Sequence, residues 1–263
     1  MSAKGIQITE RDRLLFHTMQ KFGFLTSKMI NDICFNSLTK QAGYQRLKKM
    51  HDYGLISRTT PIGQTEYWYY VTEKIRPFLD NTRPLKKLHK QWLVHDVGLS
   101  LIMFKIFSDY RDEKIFFETD LWLFESHFLK SIRKHKGKVH SNRLMFLPDG
   151  GIQFPKLNAL YFLEFDRSTE WGLKFHQKIW AYEEYFKSGT FKNEFGEILD
   201  RFRVLLLCKG QERINGIMNT YTKKELTLFV FTTHQEFLSN DKPLHKSIWQ
   251  HVGMDGKFAL GRG

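Results

Sequence analysis

The segment 159–165, with the sequence ALYFLEF, constrains the fold of this chain most strongly, because six of its seven residues are apolar. A strand that is apolar on both faces has to be buried on both sides, which is typical of a sheet covered by helices. Helices are predicted over 92–107, 171–187 and 211–219, and strands over 115–124, 204–208 and 226–231. This alternation predicts an α/β domain over residues 92–263.

The first 80 residues predict three helices followed by a β-hairpin. Thr9, with Asp12 three residues later, resembles a capping box at the start of the first helix, and Gly23 ends that helix. Four further elements follow: helices over 27–34 and 39–53, then strands over 55–58 and 65–71. This order predicts a winged helix-turn-helix domain over residues 1–80, which the basic segment 81–91 is expected to link to the rest of the chain.

Basic residues are concentrated in two parts of the chain. The whole chain has 41 Lys and Arg against 28 Asp and Glu, a formal net charge of +13. Residues 1–90 hold 16 basic residues against 7 acidic ones, residues 130–143 hold six basic residues and no acidic one, and the remainder sums to −2. A surface charged only for solubility would not separate charge in this way, so the distribution predicts a polyanionic partner.

The sequence argues against secretion and membrane insertion. Cys34 and Cys208 are too few for a disulfide framework or a cysteine-based zinc site, which is typical of a reducing compartment. The N-terminus has no apolar signal core, and the longest apolar run, residues 99–107, is interrupted by Lys105 and too short to span a bilayer. No predicted helix combines a basic face with a wide apolar face, which makes an anionic membrane a poor partner. We therefore expect a cytoplasmic protein that binds nucleic acid.

The third predicted helix has the composition of a DNA recognition helix. Leu47 and Met50 mark its core side. The opposite side carries amide, aromatic and cationic side chains: Gln41, Tyr44, Gln45 and Lys48, flanked by Arg46 and Lys49. Amide and aromatic groups can contact base edges while cations bind phosphates, and Arg58 in the hairpin is expected to contact the DNA backbone. The alternative is a solvated helix face on a protein-binding winged helix.

Three carboxylates lie close to strand ends in the second half of the chain. Glu164 and Asp166 are two residues apart, so both are expected on one side of the buried strand near its carboxyl end. Asp149 lies in the segment PDGG, between short strands predicted over 144–147 and 152–154. Converging carboxylates repel each other unless a cation joins them, and oxygen ligands favour Mg²⁺ or Mn²⁺, which could bind a scissile phosphate and activate a water.

A structural role for these acids is the alternative. Asp166 or Ser168 could cap the following helix, and Asp149 could belong to a turn with the two glycines after it. Glu164 is harder to explain in this way, because it interrupts an apolar run and needs a partner wherever it is buried.

Short motifs around these acids resemble a known family. They are LPDG around Asp149, EFDRST starting at Glu164, and KIWAY from Lys178 to Tyr182. Together with ITERDR at residues 8–13 and RLKKMHDYGL starting at Arg46, their order resembles the plasmid replication-relaxation family and is similar to the MobC-type relaxases. The resemblance covers about residues 6–235. It implies a PD-(D/E)XK endonuclease-like core in the second domain, and hence an α+β chain overall.

The resemblance implies catalytic residues, with one departure from the usual pattern. The endonuclease pattern places a lysine two residues after the second acid, whereas this chain has Asp166 there. Lys178 on the following helix is expected to reach the same space, and Tyr182 one turn later would lie beside it. The implied catalytic set therefore has five members, of which the three acids are also the metal ligands: Asp149, Glu164, Asp166, Lys178 and Tyr182.

The basic segment 130–143, KSIRKHKGKVHSNR, is expected to form a loop near the path of the DNA. Because it has no acidic neighbour in sequence, its charges repel one another until phosphates neutralise them. Four of its cations are expected to contact DNA: Arg133, Lys134, Lys136 and Lys138.

Two functions fit these features. The first is a metal-dependent DNA-nicking or relaxase-like protein of a plasmid or other mobile element, acting in mobilisation or replication. The second is a non-catalytic plasmid replication or transcription regulator with a degenerate nuclease fold. Both predict binding to double-stranded DNA of a plasmid origin or operator, with relaxosome or replication proteins as partners, and both are compatible with a homodimer.

Overall fold

The computed structural model describes residues 2–3, 5–61, 65–79, 85, 92–110, 122–123, 148–154, 159–168, 172–195 and 200–260. Helices and strands occur in both halves, which confirms the predicted α/β class. The chain divides into two compact units, Met1–Phe104 and Lys105–Gly263. The segment 130–143 lies outside the described residues, so the DNA contacts expected there rest on the sequence alone: Arg133, Lys134, Lys136 and Lys138.

The N-terminal unit combines three helices with short antiparallel strands. Its elements, in chain order, are β1 (Ser2–Ala3), β2 (Ile6–Gln7), α1 (Glu10–Phe22), β3 (Leu25–Thr26), α2 (Ser27–Ile33), α3 (Lys40–Asp52), β4 (Ile56–Thr59) and β5 (Trp68–Val71). Strand β1 pairs with β2, and a separate three-stranded antiparallel sheet has the order β3-β5-β4. The helices and the hairpin β4–β5 follow the predicted order, whereas the short strands β1 to β3 were not predicted.

Threonine side chains cap α1, α2 and α3. The hydroxyl of Thr9 accepts a hydrogen bond from the N–H of Asp12, whose carboxylate accepts one from the N–H of Thr9, so the predicted capping box is confirmed. Thr26 and Thr39 accept equivalent bonds from the third residue of α2 and of α3. Each bond satisfies an N–H that a helix start leaves without an intrahelical partner.

Gly43 allows α3 to pack closely against α2. A Cβ atom at this position would lie 2.4 Å from Oδ1 of Asn31, so a larger side chain would push the two helices apart. Around this contact the unit buries a core that includes Leu15, Phe16, Met19, Ile30, Leu47 and Met50. Leu47 and Met50 therefore lie on the buried side of α3, as the sequence predicts.

Helix α4 (Leu93–Asp109) crosses the boundary between the units. In its first half, the hydroxyl of Ser100 donates to the carbonyl of Phe22 at 2.6 Å and accepts from the N–H of Phe24 at 3.3 Å. These bonds join the first half of α4 to the N-terminal unit, which extends to Phe104, whereas the start of the second domain was expected at residue 92. The linker 81–91 falls almost wholly on residues that the structure does not describe.

The second unit is built on a five-stranded mixed sheet. Its elements are β6 (Trp122–Leu123), β7 (Gly150–Phe154), β8 (Ala159–Asp166), α5 (Leu173–Lys187), α6 (Thr190–Phe195), β9 (Phe202–Cys208), α7 (Gln211–Thr220), β10 (Phe229–Thr233) and α8 (His234–Ser239). The order is β10-β9-β8-β7-β6, with β8, β9 and β10 parallel and the other neighbours antiparallel. Within the described residues, no helix is long and apolar enough to cross a bilayer.

Strand β8 is the middle strand of the sheet, as its apolar sequence predicts. Leu160 and Phe162 belong to a buried cluster that also contains residues of β9, α5 and α7. The rings of Phe162 and Phe202 lie 4.8 Å apart between their centroids. Because alternate strand residues share a face, Glu164 and Asp166 lie on this same helix-covered face, at the carboxyl end of the strand.

Candidate nucleic-acid interface and acidic site

Helix α3 exposes the side that the sequence predicts to face DNA. Gly43, Leu47 and Met50 are buried on its inner side. On the opposite side, five exposed side chains make no hydrogen bond or ion pair with any residue in the described part of the chain: Gln41, Tyr44, Gln45, Lys48 and Lys49. An exposed face of amide, phenol and ammonium groups is suited to base edges and phosphates.

Arg46 departs from the prediction, because it contacts α1 and not the exposed face of α3. Its Nε donates to Oδ1 of Asp12 at 3.0 Å, and one of its terminal nitrogens donates to the carbonyl of Gln7 at 2.7 Å and to Asp12 Oδ2. The side chain of Asp12 is only 1% exposed. Arg46 therefore holds α3 against α1, and the DNA contact expected of it stays a prediction.

Arg58 is exposed on β4, next to the hairpin turn. Its guanidinium carbon lies 4.2 Å from the centroid of the Tyr67 ring, and that ring is itself 47% exposed. A cation over an aromatic face gains electrostatic attraction while its N–H groups still point outward. The position suits the backbone contact expected of Arg58, although the turn residues 62–64 lie outside the described part of the structure.

Glu164 is a buried acid with two donors from one helix. Its Oε2 accepts a hydrogen bond from Nζ of Lys178 at 2.7 Å, and its Oε1 accepts one from the hydroxyl of Tyr182 at 2.5 Å. Lys178 and Tyr182 are one turn apart on α5, so packing of that helix on the sheet brings both to the carboxylate. The structure brings these three residues together as the sequence predicts, while their catalytic roles stay predictions.

Tyr182 is enclosed in the core of the second unit. It is fully buried, and its ring centroid lies 5.8 Å from that of Phe162 and 5.6 Å from that of Phe229. Since its hydroxyl donates to Glu164, the phenol joins α5 to the sheet. A DNA phosphate could reach this oxygen only if the surrounding aromatic side chains moved.

Asp166 forms a buried ion pair that the sequence analysis did not predict. Its Oδ2 accepts from Nε of Arg213 on α7 at 2.6 Å, and its Oδ1 accepts from the N–H of Ser168 at 2.6 Å. The two side chains are 6% and 4% exposed. The alternative that Asp166 caps the next helix is wrong, since α5 begins after Gly172 without a side-chain cap.

Asp149 directly precedes β7 and also has a backbone partner. Its Oδ2 accepts a hydrogen bond from the N–H of Phe165 at 2.8 Å. The two glycines that follow it do not form the predicted turn, because Gly150 pairs with Leu163 and Gly151 with Phe162 in the ladder between β7 and β8. Asp149 thus ties the start of β7 to the end of β8.

The three acids do not form an open set of metal ligands. Both carboxylate oxygens of Glu164 and both of Asp166 accept hydrogen bonds from protein donors, and Asp149 uses one oxygen in the same way. Among the described residues, no three His, Cys, Asp or Glu side chains are grouped so that they could hold a metal ion. Lys178 and Arg213 already supply positive charge to Glu164 and Asp166, so the donor set as it stands does not fit such an ion.

His234, at the start of α8, lies at the same end of the sheet. Its ring centroid is 4.1 Å from that of Phe165, and its Nε2 lies 2.6 Å from the carbonyl oxygen of Leu207. Burial lowers the pKa of His234, whereas the hydrogen bond to the carbonyl of Leu207 raises it; burial has the larger effect. His234 reaches this end of the sheet because it follows β10, which lies beside β9. The residues around it in the sequence form no motif that predicts this position.

Burial raises the pKa of Glu164 from 4.5 to about 7. Desolvation is the largest cause; the charge of Lys178 opposes it, and the nearby carboxylate of Asp149 adds to it. A carboxyl group in this setting changes its charge near neutral pH. The charge state of the ion pair between Glu164 and Lys178 therefore depends on pH in a range where the protein is expected to work.

The raised pKa predicts that Glu164 makes the stability fall with rising pH. Between 4.5 and about 7, the unfolded chain releases the Glu164 proton while the folded chain keeps it. The stabilisation from the retained proton is complete at low pH and is lost as the pH rises through 7, by about 3 kcal/mol in total. We expect the stability of Glu164→Gln not to show this fall. The measurement is the free energy of unfolding in urea at about pH 5 and about pH 8 for both proteins. An equal pH dependence in the two proteins would contradict the assignment.

Residues 16–199 match the model of the family described as replication-relaxation, which is more than half of the chain. The chain belongs to the replication-relaxation family. No curated protein and no solved structure matches the chain.

Membership of the replication-relaxation family supports involvement in plasmid replication or mobilisation. The matched region begins within α1 and ends before β9, so it includes both α3 and the three acids. The family resemblance seen in the sequence motifs is thereby confirmed, whereas the similarity to MobC-type relaxases rests on those motifs alone.

Proposed function

We propose that this replication-relaxation protein binds double-stranded DNA of a plasmid origin or operator through its N-terminal unit, as a non-catalytic regulator of replication or transcription. The exposed face of α3 carries the proposal, because its amide, phenol and ammonium groups have no partner among the described residues. The order of α1 to α3, β4 and β5, with β3 pairing to β5, agrees with a winged helix-turn-helix.

In this arrangement α3 lies in the major groove. The side-chain amides of Gln41 and Gln45 can each bond an adenine edge in bidentate fashion, and Lys48 and Lys49 bind the phosphates beside the groove. Arg58 and Tyr67 on the hairpin meet the adjacent backbone. Arg46 contributes indirectly, because its bonds to Asp12 and Gln7 hold α3 in a fixed orientation against α1 and β2.

The acidic site supports the non-catalytic alternative over metal-dependent cleavage. A nicking enzyme needs carboxylate oxygens free to bind a divalent cation and a scissile phosphate. Here Lys178 and Tyr182 each donate to one carboxylate oxygen of Glu164, and Arg213 pairs with Asp166. We propose that these residues hold α5 and α7 on the sheet, which keeps the fold of a nuclease-like domain without its chemistry.

Metal-dependent nicking is the second candidate function, and one observation favours it. Lys178 reaches the acid at the end of β8 from the neighbouring helix, which is where the sequence resemblance expects a replacement for the missing lysine. Catalysis would require Lys178 and Arg213 to release their carboxylates when Mg²⁺ or Mn²⁺ and DNA arrive. Relaxosome or replication proteins, and a second copy of this chain, are partners under either function.

Two measurements on the full chain test these proposals. Fluorescence anisotropy with a duplex from the plasmid's own origin, in EDTA, is expected to show tighter binding than a scrambled duplex of equal length. Supercoiled plasmid carrying that origin is expected to stay intact with Mg²⁺ or Mn²⁺. Equal affinity for both duplexes would contradict specific binding, and nicking that Glu164→Gln abolishes would establish the second candidate.

A further inference from the structure

A basic cleft lies in the second unit, at the end of the sheet away from the acids. The cavity has a volume of about 340 Å³ and opens beside the first residues of β9. Leu160 pairs with Phe202 at this end of the sheet, whereas Asp166 pairs with Cys208 at the other. The two places are therefore separated by roughly 20 Å along the strands.

Three cations line one side of this cleft. Arg201 and Arg203 flank Phe202 at the start of β9, and Lys224 comes from the segment before β10. Arg201 and Lys224 are exposed, and neither forms an ion pair with a carboxylate among the residues that the structure describes. Arg203 is half-buried and donates to the carbonyl of Thr227. Burial lowers the pKa of Arg203, and the nearby charge of Arg201 lowers it further.

The rest of the lining is apolar or already neutralised. Phe202 and Leu228 are buried and close the floor, while Phe186 on α5 is partly exposed at the rim. Lys187 and Glu183 lie on the helix side and pair with each other at 3.5 Å. Within the part of the chain that the structure describes, the cations of the cleft that pair with no carboxylate are therefore Arg201, Arg203 and Lys224.

We propose that this cleft binds a nucleotide unit, with the phosphate on Arg201 and Lys224 and the base against Phe186. Guanidinium groups form charge-assisted hydrogen bonds to phosphate oxygens, and an aromatic edge beside them gives a base a surface to pack on. A volume of about 340 Å³ lies within the range of small-ligand pockets. The unit can come from a free nucleotide or from a single strand of DNA. This site is additional to the duplex-binding face of α3.

The test uses calorimetric titration of the full chain with three probes. They are deoxyadenosine monophosphate, deoxyadenosine, and a single-stranded hexanucleotide of deoxyadenylate. We expect the phosphate-bearing probes to bind, and Arg201→Glu/Lys224→Glu to weaken them by about tenfold or more through loss of charge-assisted contacts. Arg201→Gln/Lys224→Gln removes the same contacts without reversing charge, in case the first variant folds poorly. Binding of the monophosphate would identify a free nucleotide as sufficient, and binding of the hexanucleotide alone would identify a strand.

The controls separate this site from general electrostatics and from the proposed DNA-binding face. Lys209→Glu/Lys246→Glu makes the same change of net charge at exposed positions outside the cleft, and it should leave the affinity within about twofold. Lys48→Glu/Lys49→Glu should not change binding of the monophosphate. The proposal fails if neither phosphate-bearing probe saturates at millimolar concentration, if deoxyadenosine binds equally well, or if the control variant weakens binding as much. None of these results bears on duplex binding by α3.

Discussion

Lys48→Glu/Lys49→Glu is expected to weaken binding to origin duplex by about 100-fold or more at moderate salt, because two phosphate contacts become two repulsions. The slope of the logarithm of affinity against the logarithm of salt concentration should fall by about two, one for each lost phosphate contact. Both lysines are exposed on α3 and have no partner in the described part of the chain, so stability should hardly change. Anisotropy titrations at several salt concentrations measure both quantities.

The matched control for this variant is Lys223→Glu/Lys246→Glu. It changes the net charge equally, on exposed side chains of the other unit. If the control loses as much affinity as the α3 variant, binding depends on total charge and α3 has no special role. If the α3 variant keeps full affinity and an unchanged salt slope, the winged-helix interpretation of the N-terminal unit is wrong.

Base readout has a different signature from phosphate binding. Gln41→Ala or Gln45→Ala should cost about 1–3 kcal/mol on the cognate duplex, with little loss on a scrambled one, because only bidentate contacts to base edges carry sequence information. The lysine variant should weaken both duplexes alike. The ratio of cognate to scrambled affinity therefore distinguishes the two kinds of side chain on one helix.

Local signals explain what the sequence could predict. The capping box of Thr9 and Asp12 spans three residues, the inner face of α3 repeats at helical spacing, and the buried strand β8 is one apolar run. Each pattern acts within a single element, where propensity and burial determine the outcome. The same reasoning placed Glu164 and Asp166 on one face of β8, since strand alternation needs no knowledge of the rest of the fold.

The contacts that the sequence did not predict involve partners that are distant along the chain. Arg46 bonds to Asp12, which lies 34 residues earlier in the chain. Asp166 bonds to Arg213, which lies 47 residues later on α7. Nothing in a single sequence reports such pairs, since their contact depends on how helices pack on the sheet. A carboxylate in an apolar strand therefore predicts a cationic partner, but it does not predict whether that partner is a metal ion or a side chain.

Asp166→Leu is expected to lower the free energy of unfolding by about 3–5 kcal/mol, because it leaves the guanidinium of Arg213 buried without its counter-charge. Arg213 is 5% exposed and also lies over the ring of Phe175, with 5.4 Å between its guanidinium carbon and the ring centroid, so it cannot reach water without disturbing the core. Urea unfolding at neutral pH measures the loss. Lys187→Met, which breaks a pair whose lysine side chain is 62% exposed, should change the free energy of unfolding far less.

The double variant Asp166→Leu/Arg213→Met separates the structural role of Asp166 from metal binding. It removes both charges together, so stability should return to within about 1 kcal/mol of the wild-type value or exceed it. The folded variant then lacks one of the three acids that a metal site would need. If Asp166 serves only Arg213, this protein should bind origin duplex like the wild type, and neither protein should give a calorimetric signal with millimolar Mn²⁺. A Mn²⁺ signal present in the wild type and absent from the stable double variant would instead show that the carboxylate exchanges its guanidinium partner for a cation. In that case the acids would hold a metal ion, which the nicking function requires and the proposed regulator does not.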